Sequence, residues 1–251
     1  LVDISLKNGH LPKPDRMVID GRLVGTRQIG NMLYLVATHA PKFAFDLLPT
    51  TSTTAERSAA LISMSIADVL PQVSVNGGPR VPLMAETDCW LQDGNASTQI
   101  ALTTLTAIDL GSPTYARSSR CFVGGTEALY MSPANIYLAT TRNDIQTLNG
   151  RLAFSPEMRT DIHKFAVSGS SFNYRGSGSI NGSLGWDREK NAYRMSEFNG
   201  DLRVLGFSGS QGWVSLADAG SVAPSPATLT VLRERTSDAT LQTVATMPNA
   251  Q

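Results

Sequence analysis

Asp187, Glu189 and Glu197 are three carboxylates within one short stretch, and carboxylates that converge can serve as general acid and base or hold a cation. Arg188, Lys190 and Arg194 alternate with them, a pattern that reads equally as a solvated charged loop. Asp93-Gly94-Asn95 places oxygen ligands around a glycine as a calcium loop begins, yet the glutamate that closes such a loop is missing. An Asx turn explains the same residues. Calcium near Asp93 is therefore the one weak metal reading, and no other cofactor is expected. His10, His39 and His163 are far apart and share no metal-ligand spacing with each other or with Cys89 and Cys121. His163, next to Lys164 on an extended segment, reads as an exposed or core-edge histidine.

Neither a Gly-x-Ser-x-Gly nucleophile elbow nor a phosphate-binding loop occurs. The tract from Gly176 to Ser183 lacks the lysine and the following helix that a phosphate cradle requires. No residue is thus assigned a catalytic, cofactor-binding or metal-binding role. The aromatic residues offer more. Trp90, Trp186 and Trp213 fall between strands, where an exposed indole anchors an interface, although packing at the edge of a core is the competing reading.

The elements that would position these side chains recur. Asn31-Met-Leu-Tyr-Leu-Val-Ala-Thr38, Asn135-Ile-Tyr-Leu-Ala-Thr-Thr141 and Gly200-Asp-Leu-Arg-Val-Leu-Gly206 each follow a turn residue with apolar positions at strand spacing. A second set comprises the segments starting at Thr103, Thr160 and Ala227, in which Leu105, Ile162 and Leu229 correspond. An extended segment precedes each copy of the first strand, at Leu23 to Ile29, Ala128 to Ser132 and Ala192 to Phe198, and another follows each copy of the second. The unit is a four-stranded antiparallel meander, longer than the roughly 40 to 50 residues of familiar propeller blades because loops are inserted.

The fold expected is all-β, a β-propeller of about three four-stranded blades with part of a preceding blade and one helical insertion. Residues 1–19 would end the preceding blade, 20–125 form a blade carrying the insertion 41–101, and 126–185 and 186–251 form the next two. The insertion contains a helix from about Thr54 to Leu70, opened by the capping box Thr53-Thr-Ala-Glu56 and stopped before Pro71. Ile62, Ile66, Val69 and Leu70 form its apolar stripe, expected to pack on the side of the blade. Val2-Asp3-Ile4-Ser5 reads as the tail of a strand, so the chain is expected to begin mid-structure. Three blades and a fragment do not close a ring, so further blades from the same or another chain are expected as partners.

Composition narrows the function classes. With 21 basic and 21 acidic residues in 251 there is no global field for a polyanion, and no basic block is interleaved with aromatics, which excludes a nucleic-acid surface. No apolar run approaches the roughly 20 residues of a transmembrane segment. Low charge with 21 Gly and 13 Pro suits an extracytoplasmic β protein, where Cys89 and Cys121 would form a bridge. Two buried thiols are the alternative.

Ile19-Asp-Gly-Arg-Leu-Val24, Ile29-Gly-Asn-Met-Leu-Tyr-Leu-Val36, Asp68-Val-Leu-Pro71, Asp88-Cys89, Tyr130-Met-Ser132, Thr160-Asp-Ile-His-Lys-Phe165 and Met195-Ser-Glu-Phe-Asn-Gly-Asp-Leu-Arg-Val204 together resemble a bacterial and archaeal family of secreted proteins with a C-terminal β-propeller domain distantly similar to the WD40 type. The resemblance implies an exported propeller, whether secreted, periplasmic or lipid-anchored at the cell envelope, and brings no reaction or ligand with it. Two functions are carried forward. One is a non-enzymatic extracytoplasmic scaffold that binds a protein or a cell-envelope polymer. The other is a propeller hydrolase or lyase acting on saccharides, which requires Asp187, Glu189 and Glu197 to gather around a deep pocket.

Overall fold

The computed structural model describes residues 16–91, 101–148, 151–185, 187–208 and 227–248. The chain divides into two compact units, Leu1–Gly125 and Thr126–Gln251.

The first unit contains β1 (Met17–Ile19), β2 (Arg22–Ile29), β3 (Met32–His39), α1 (Thr54–Ile62), α2 (Ile66–Val69), β4 (Gln72–Val75), β5 (Val81–Pro82), β6 (Cys89–Trp90), β7 (Leu102–Asp109) and β8 (Arg117–Val123). Strands β2, β3, β7 and β8 form an antiparallel meander, and β6 adds to β8 in parallel. Gly30, at φ 57°, makes the β2–β3 turn, a conformation that costs glycine little. β7 runs through the middle of the sheet and is buried on both faces, so its threonines need internal partners. They have them: Thr103 Oγ1 donates to Gly124 O at 2.7 Å, Thr104 Oγ1 to Ala37 O at 3.3 Å, and Thr106 shares a 2.9 Å bond with Ser119.

The insertion departs from its expected form in two ways. The Thr53–Glu56 capping box is present, with Glu56 N–H donating to Thr53 Oγ1 and Thr53 N–H to the Glu56 carboxylate. The helix, however, stops at Ile62. Ser63 turns its hydroxyl onto Ala60 O at 2.7 Å, and Ser65 starts α2 by donating its N–H and hydroxyl to Asp68; serines that bond locally compete with helix continuation. The apolar stripe is split as a result, with Ile62 83% and Ile66 55% exposed while Leu70 is buried. Only Leu70 joins the core of Val73, Leu83, Met84, Leu102 and Cys121, and the main contacts of α1 are with the 3-10 turn Ala44–Leu47, not with the blade. The second departure concerns residues 16–19. β1 pairs antiparallel with β4, and β4 with β5, in a separate three-stranded sheet. Asp20 N–H donates to Gln72 O at 2.9 Å and continues this pairing, so Met17–Ile19 belongs with the insertion. Residues 1–15 lie outside the described residues.

The second unit holds β9 (Ala128–Met131), β10 (Asn135–Leu148), β11 (Arg151–Ser168), β12 (Ser171–Asn181), β13 (Met195–Phe198), β14 (Asp201–Phe207), β15 (Ala227–Arg235) and β16 (Thr240–Pro248). Two antiparallel meanders, β9 to β12 and β13 to β16, meet at a single parallel pair, Ser177 with Thr240, and at the bridge Ser183–Phe207. Glu197 N–H donates to Tyr130 Oη at 3.0 Å, so the first strands also meet and the eight-stranded sheet nearly closes. Tyr137, Ile162 and Ile180 from one meander pack with Leu202, Val204, Leu232 and Leu241 from the other. Asn199-Gly200, both at positive φ, close the β13–β14 hairpin, the residue pair that suits a turn twisted like its strands. The β10–β11 hairpin runs past Thr141, where the strand read from the sequence ends, to the pair Leu148–Arg151 through an irregularity at Asn143/Ile145. Backbone pairing with an ordered neighbour continues a strand beyond its apolar pattern.

Candidate functional site

β2 begins and β3 ends at the same edge of the first meander, and the β1–β4–β5 sheet lies beside them. The cleft between them has a volume of about 560 Å3, and its polar lining includes Asp20, Arg22, His39, Lys42, Gln72 and Arg80 together with Thr38 and Asp68. Gly21 sets the path of the chain into it: φ is +124°, and a Cβ there would stand 3.1 Å from Thr38 O. A side chain at this position would be strained and crowded by backbone.

Asp20 is the centre of the polar lining. Gln72 N–H donates to its Oδ2 at 3.1 Å, Arg80 Nη2 donates to both carboxylate oxygens, and Arg80 Nε reaches Gln72 Oε1 at 2.9 Å. Partial burial pushes the Asp20 carboxyl up, but Arg80 and the Gln72 N–H outweigh it and hold the group below its ordinary value. His39 is shifted down by burial, opposed by the nearby Asp20 charge and by its hydrogen bond to Val69 O, so the imidazole is neutral at pH 7. Arg22 and Lys42 are exposed and have no carboxylate partner among the described residues. The buried Thr38 hydroxyl has no hydrogen-bond partner. The cleft therefore offers two free cations and two carboxylates held by neighbours, while the Thr38 hydroxyl is shielded from solvent.

A second polar assembly is buried between the two meanders of the other unit. Lys164 on β11 pairs with Glu234 on β15 at 3.0 Å, and Arg175 Nε on β12 donates to the same carboxylate at 2.8 Å. Burial raises the Glu234 carboxyl, and its two cations more than reverse this and bring it below the ordinary range. Glu197 on β13 accepts from Ser132 Oγ at 2.8 Å and from Asn135 Nδ2. The Tyr137 hydroxyl, fully buried nearby, finds no partner in hydrogen-bond geometry; burial, reinforced by the Glu197 charge, drives its pKa far up. His163 is 4% exposed, not exposed or at the core edge as its neighbour Lys164 suggests, and burial brings its pKa down to about 4. Both residues lie on the middle strand β11, covered by β10 and β12. These groups tie the two meanders together.

The carboxylates singled out in the sequence do not converge. Asp187 accepts from Lys190 at 2.9 Å, Glu189 is exposed, and Glu197 is held by Ser132 and Asn135. Among the described residues no three His, Cys, Asp or Glu side chains could hold a metal ion. Trp90 is half-buried on β6. Trp186, Trp213, Asp93 and His10 lie outside the described residues. Cys89 and Cys121, opposite each other in the β6–β8 pair with Cα atoms 4.4 Å apart, form a disulfide. Arg120 and Asp88 pair beside it at 2.8 Å, so the insertion is fastened to β8 covalently and by charge.

A family model for the β-propeller domain matches residues 1–251, in keeping with the three four-stranded meanders. The chain belongs to the β-propeller domain family. No curated protein matches it. In the propeller, β2–β3–β7–β8 is a blade, and the cleft opens where its first strand enters and its second strand leaves for the insertion. Connections at blade ends are where propellers carry their variable, functional loops. Sequence reasoning missed the cleft because Asp20 and Arg80 are separated by 60 residues and approach only through the β1–β4 pairing. The signal available was Asp20-Gly21 at the start of a strand, a turn that fixes a carboxylate next to an edge.

Proposed function

We propose that this propeller is an extracytoplasmic binding scaffold that holds a cell-envelope polymer without cleaving it. The cleft carries the reading. It is preformed, and its insertion is anchored by the disulfide and the Arg120–Asp88 pair, so little ordering is required on binding. Its carboxylates are poorly suited to hydrolysis. A glycosidase acid needs a pKa raised toward neutrality, whereas Asp20 is held down by Arg80 and Asp68 caps a helix. A disulfide also fits an oxidising compartment, in which envelope polymers are encountered.

The test is co-sedimentation of the purified propeller with isolated cell-envelope material, with reducing ends measured in the same tubes. Saturable depletion of the protein with no release of reducing ends is expected. Progressive release would make the protein a saccharide hydrolase, and absence of any sedimentation would overturn the binding reading.

A further inference from the structure

The chemistry of the cleft specifies the polymer class more narrowly than the proposal above, on which this inference rests: we infer that the cleft binds an acidic saccharide, with the sugar carboxylate between Arg22 and Lys42. Arg22 and Lys42 both line the cleft, both are exposed, and neither is neutralised by a described carboxylate, so a ligand anion gains two charge-assisted contacts. Arg80 is already committed to Asp20 and Gln72 and serves to fix the cleft wall. The remainder of the lining suits hydroxyl groups. Asp20 and Asp68 supply acceptors for sugar O–H donors. A stretch of acidic peptide brings one backbone N–H with each carboxylate, whereas a uronate brings two or more hydroxyls with its one carboxylate, so the uronate is the better match to two acceptors beside two cations. A volume of about 560 Å3 lies within the range of roughly 300 to 1,000 Å3 found for small-molecule sites.

The experiment is titration calorimetry of the full chain with trigalacturonate, its methyl ester and triglutamate, at low and at physiological salt. Trigalacturonate is expected to bind, and to bind more weakly as salt screens the charges. The methyl ester, which has the same ring hydroxyls and no charge, is expected to bind about tenfold or more weakly. Arg22→Ala and Lys42→Ala, both exposed positions, should each lower affinity for the acid by about tenfold and leave the methyl ester almost unchanged. The inference fails if neither variant alters binding of the acid, if the ester binds equally well, or if triglutamate binds and trigalacturonate does not, an outcome that would assign the cations to an acidic protein segment. Sedimentation with envelope material that persists in the Arg22→Ala, Lys42→Ala double variant would leave the scaffold reading intact and overturn this site alone.

Discussion

Replacing His163 with Asn should remove a large part of the protein's sensitivity to mild acid. The imidazole has an ordinary pKa of 6.5 and is brought by burial to about 4 in the fold. A folded-state pKa below the unfolded one means that the unfolded chain binds the proton first, so the stabilisation is complete above pH 6.5 and is lost as pH falls from 6.5 toward 4. With these two values the loss at pH 5 is about 2 kcal/mol, rising to roughly 3 kcal/mol below pH 4. His39 shifts in the same direction but is present in both proteins and cancels in the comparison. Glu234 and Asp20, whose carboxyls are held below their ordinary values, lose their contribution only below about pH 4.5, beneath the window used. Asn offers a neutral polar atom in place of Nδ1, which lies 3.4 Å from Tyr174 Oη. Urea unfolding followed by circular dichroism at pH 7 and pH 5 is the assay. The wild-type protein should lose about 2 kcal/mol more than the variant between these pH values. Equal losses, or a His163 ring signal that titrates near 6.5 in NMR spectra of the folded protein, would refute the reasoning.

Three further perturbations test other parts of the structure. Cys89 and Cys121 close a loop with a sequence separation of 32; replacing both with Ser should cost about 3 to 4 kcal/mol by the loop-entropy estimate, and thermal melts with and without reductant read it. Glu234→Gln leaves Lys164 buried without its anion and should destabilise by about 3 kcal/mol, whereas adding Lys164→Met should recover much of that loss in a double-mutant cycle, and failure to recover would mean that Arg175 is the partner that matters. At Gly178 an added Cβ would lie 2.3 Å from Leu241 O, so Gly178→Ala should force β12 from β16 and cost about 1 to 3 kcal/mol, with faster hydrogen exchange at Thr240 and Leu241 as its local signature.

The strands were legible because their information is local. Leu33 to Val36 and Ile136 to Ala139 are short apolar runs after a turn residue, Leu202 to Gly206 alternates in burial with a period of two, and each lies on a strand of a four-stranded meander. The capping box at Thr53 was equally local, since donor and acceptor are three residues apart. The helix end was misread where two local signals compete. Apolar spacing continues through Ile62, Ile66 and Val69, yet Ser63 and Ser65 satisfy the backbone by other means, and the short-range hydrogen bonds prevail because no core lies under the stripe to reward its continuation.

The cleft shows the opposite dependence. Its cationic and acidic residues are unremarkable singly, and the charge pattern around Asp187 to Glu197 is denser in sequence than anything near Asp20. Density along the chain does not create a site when its carboxylates find basic or hydroxyl partners elsewhere in the fold, as Asp187 does with Lys190 in its own turn and Glu197 with Ser132 beyond the end of β9. A site needs groups left over after folding. Here the leftover groups, Arg22 and Lys42, arise because Arg80, arriving from the segment between β4 and β5 60 residues away, takes the Asp20 carboxylate that would otherwise be available to them. On that logic Arg80→Gln should free Asp20 to pair with Arg22 or Lys42 and weaken binding of an acidic ligand without touching it, a competition that trigalacturonate titration of the Arg80→Gln protein would reveal as a loss of affinity restored in part by Arg80→Gln combined with Asp20→Asn.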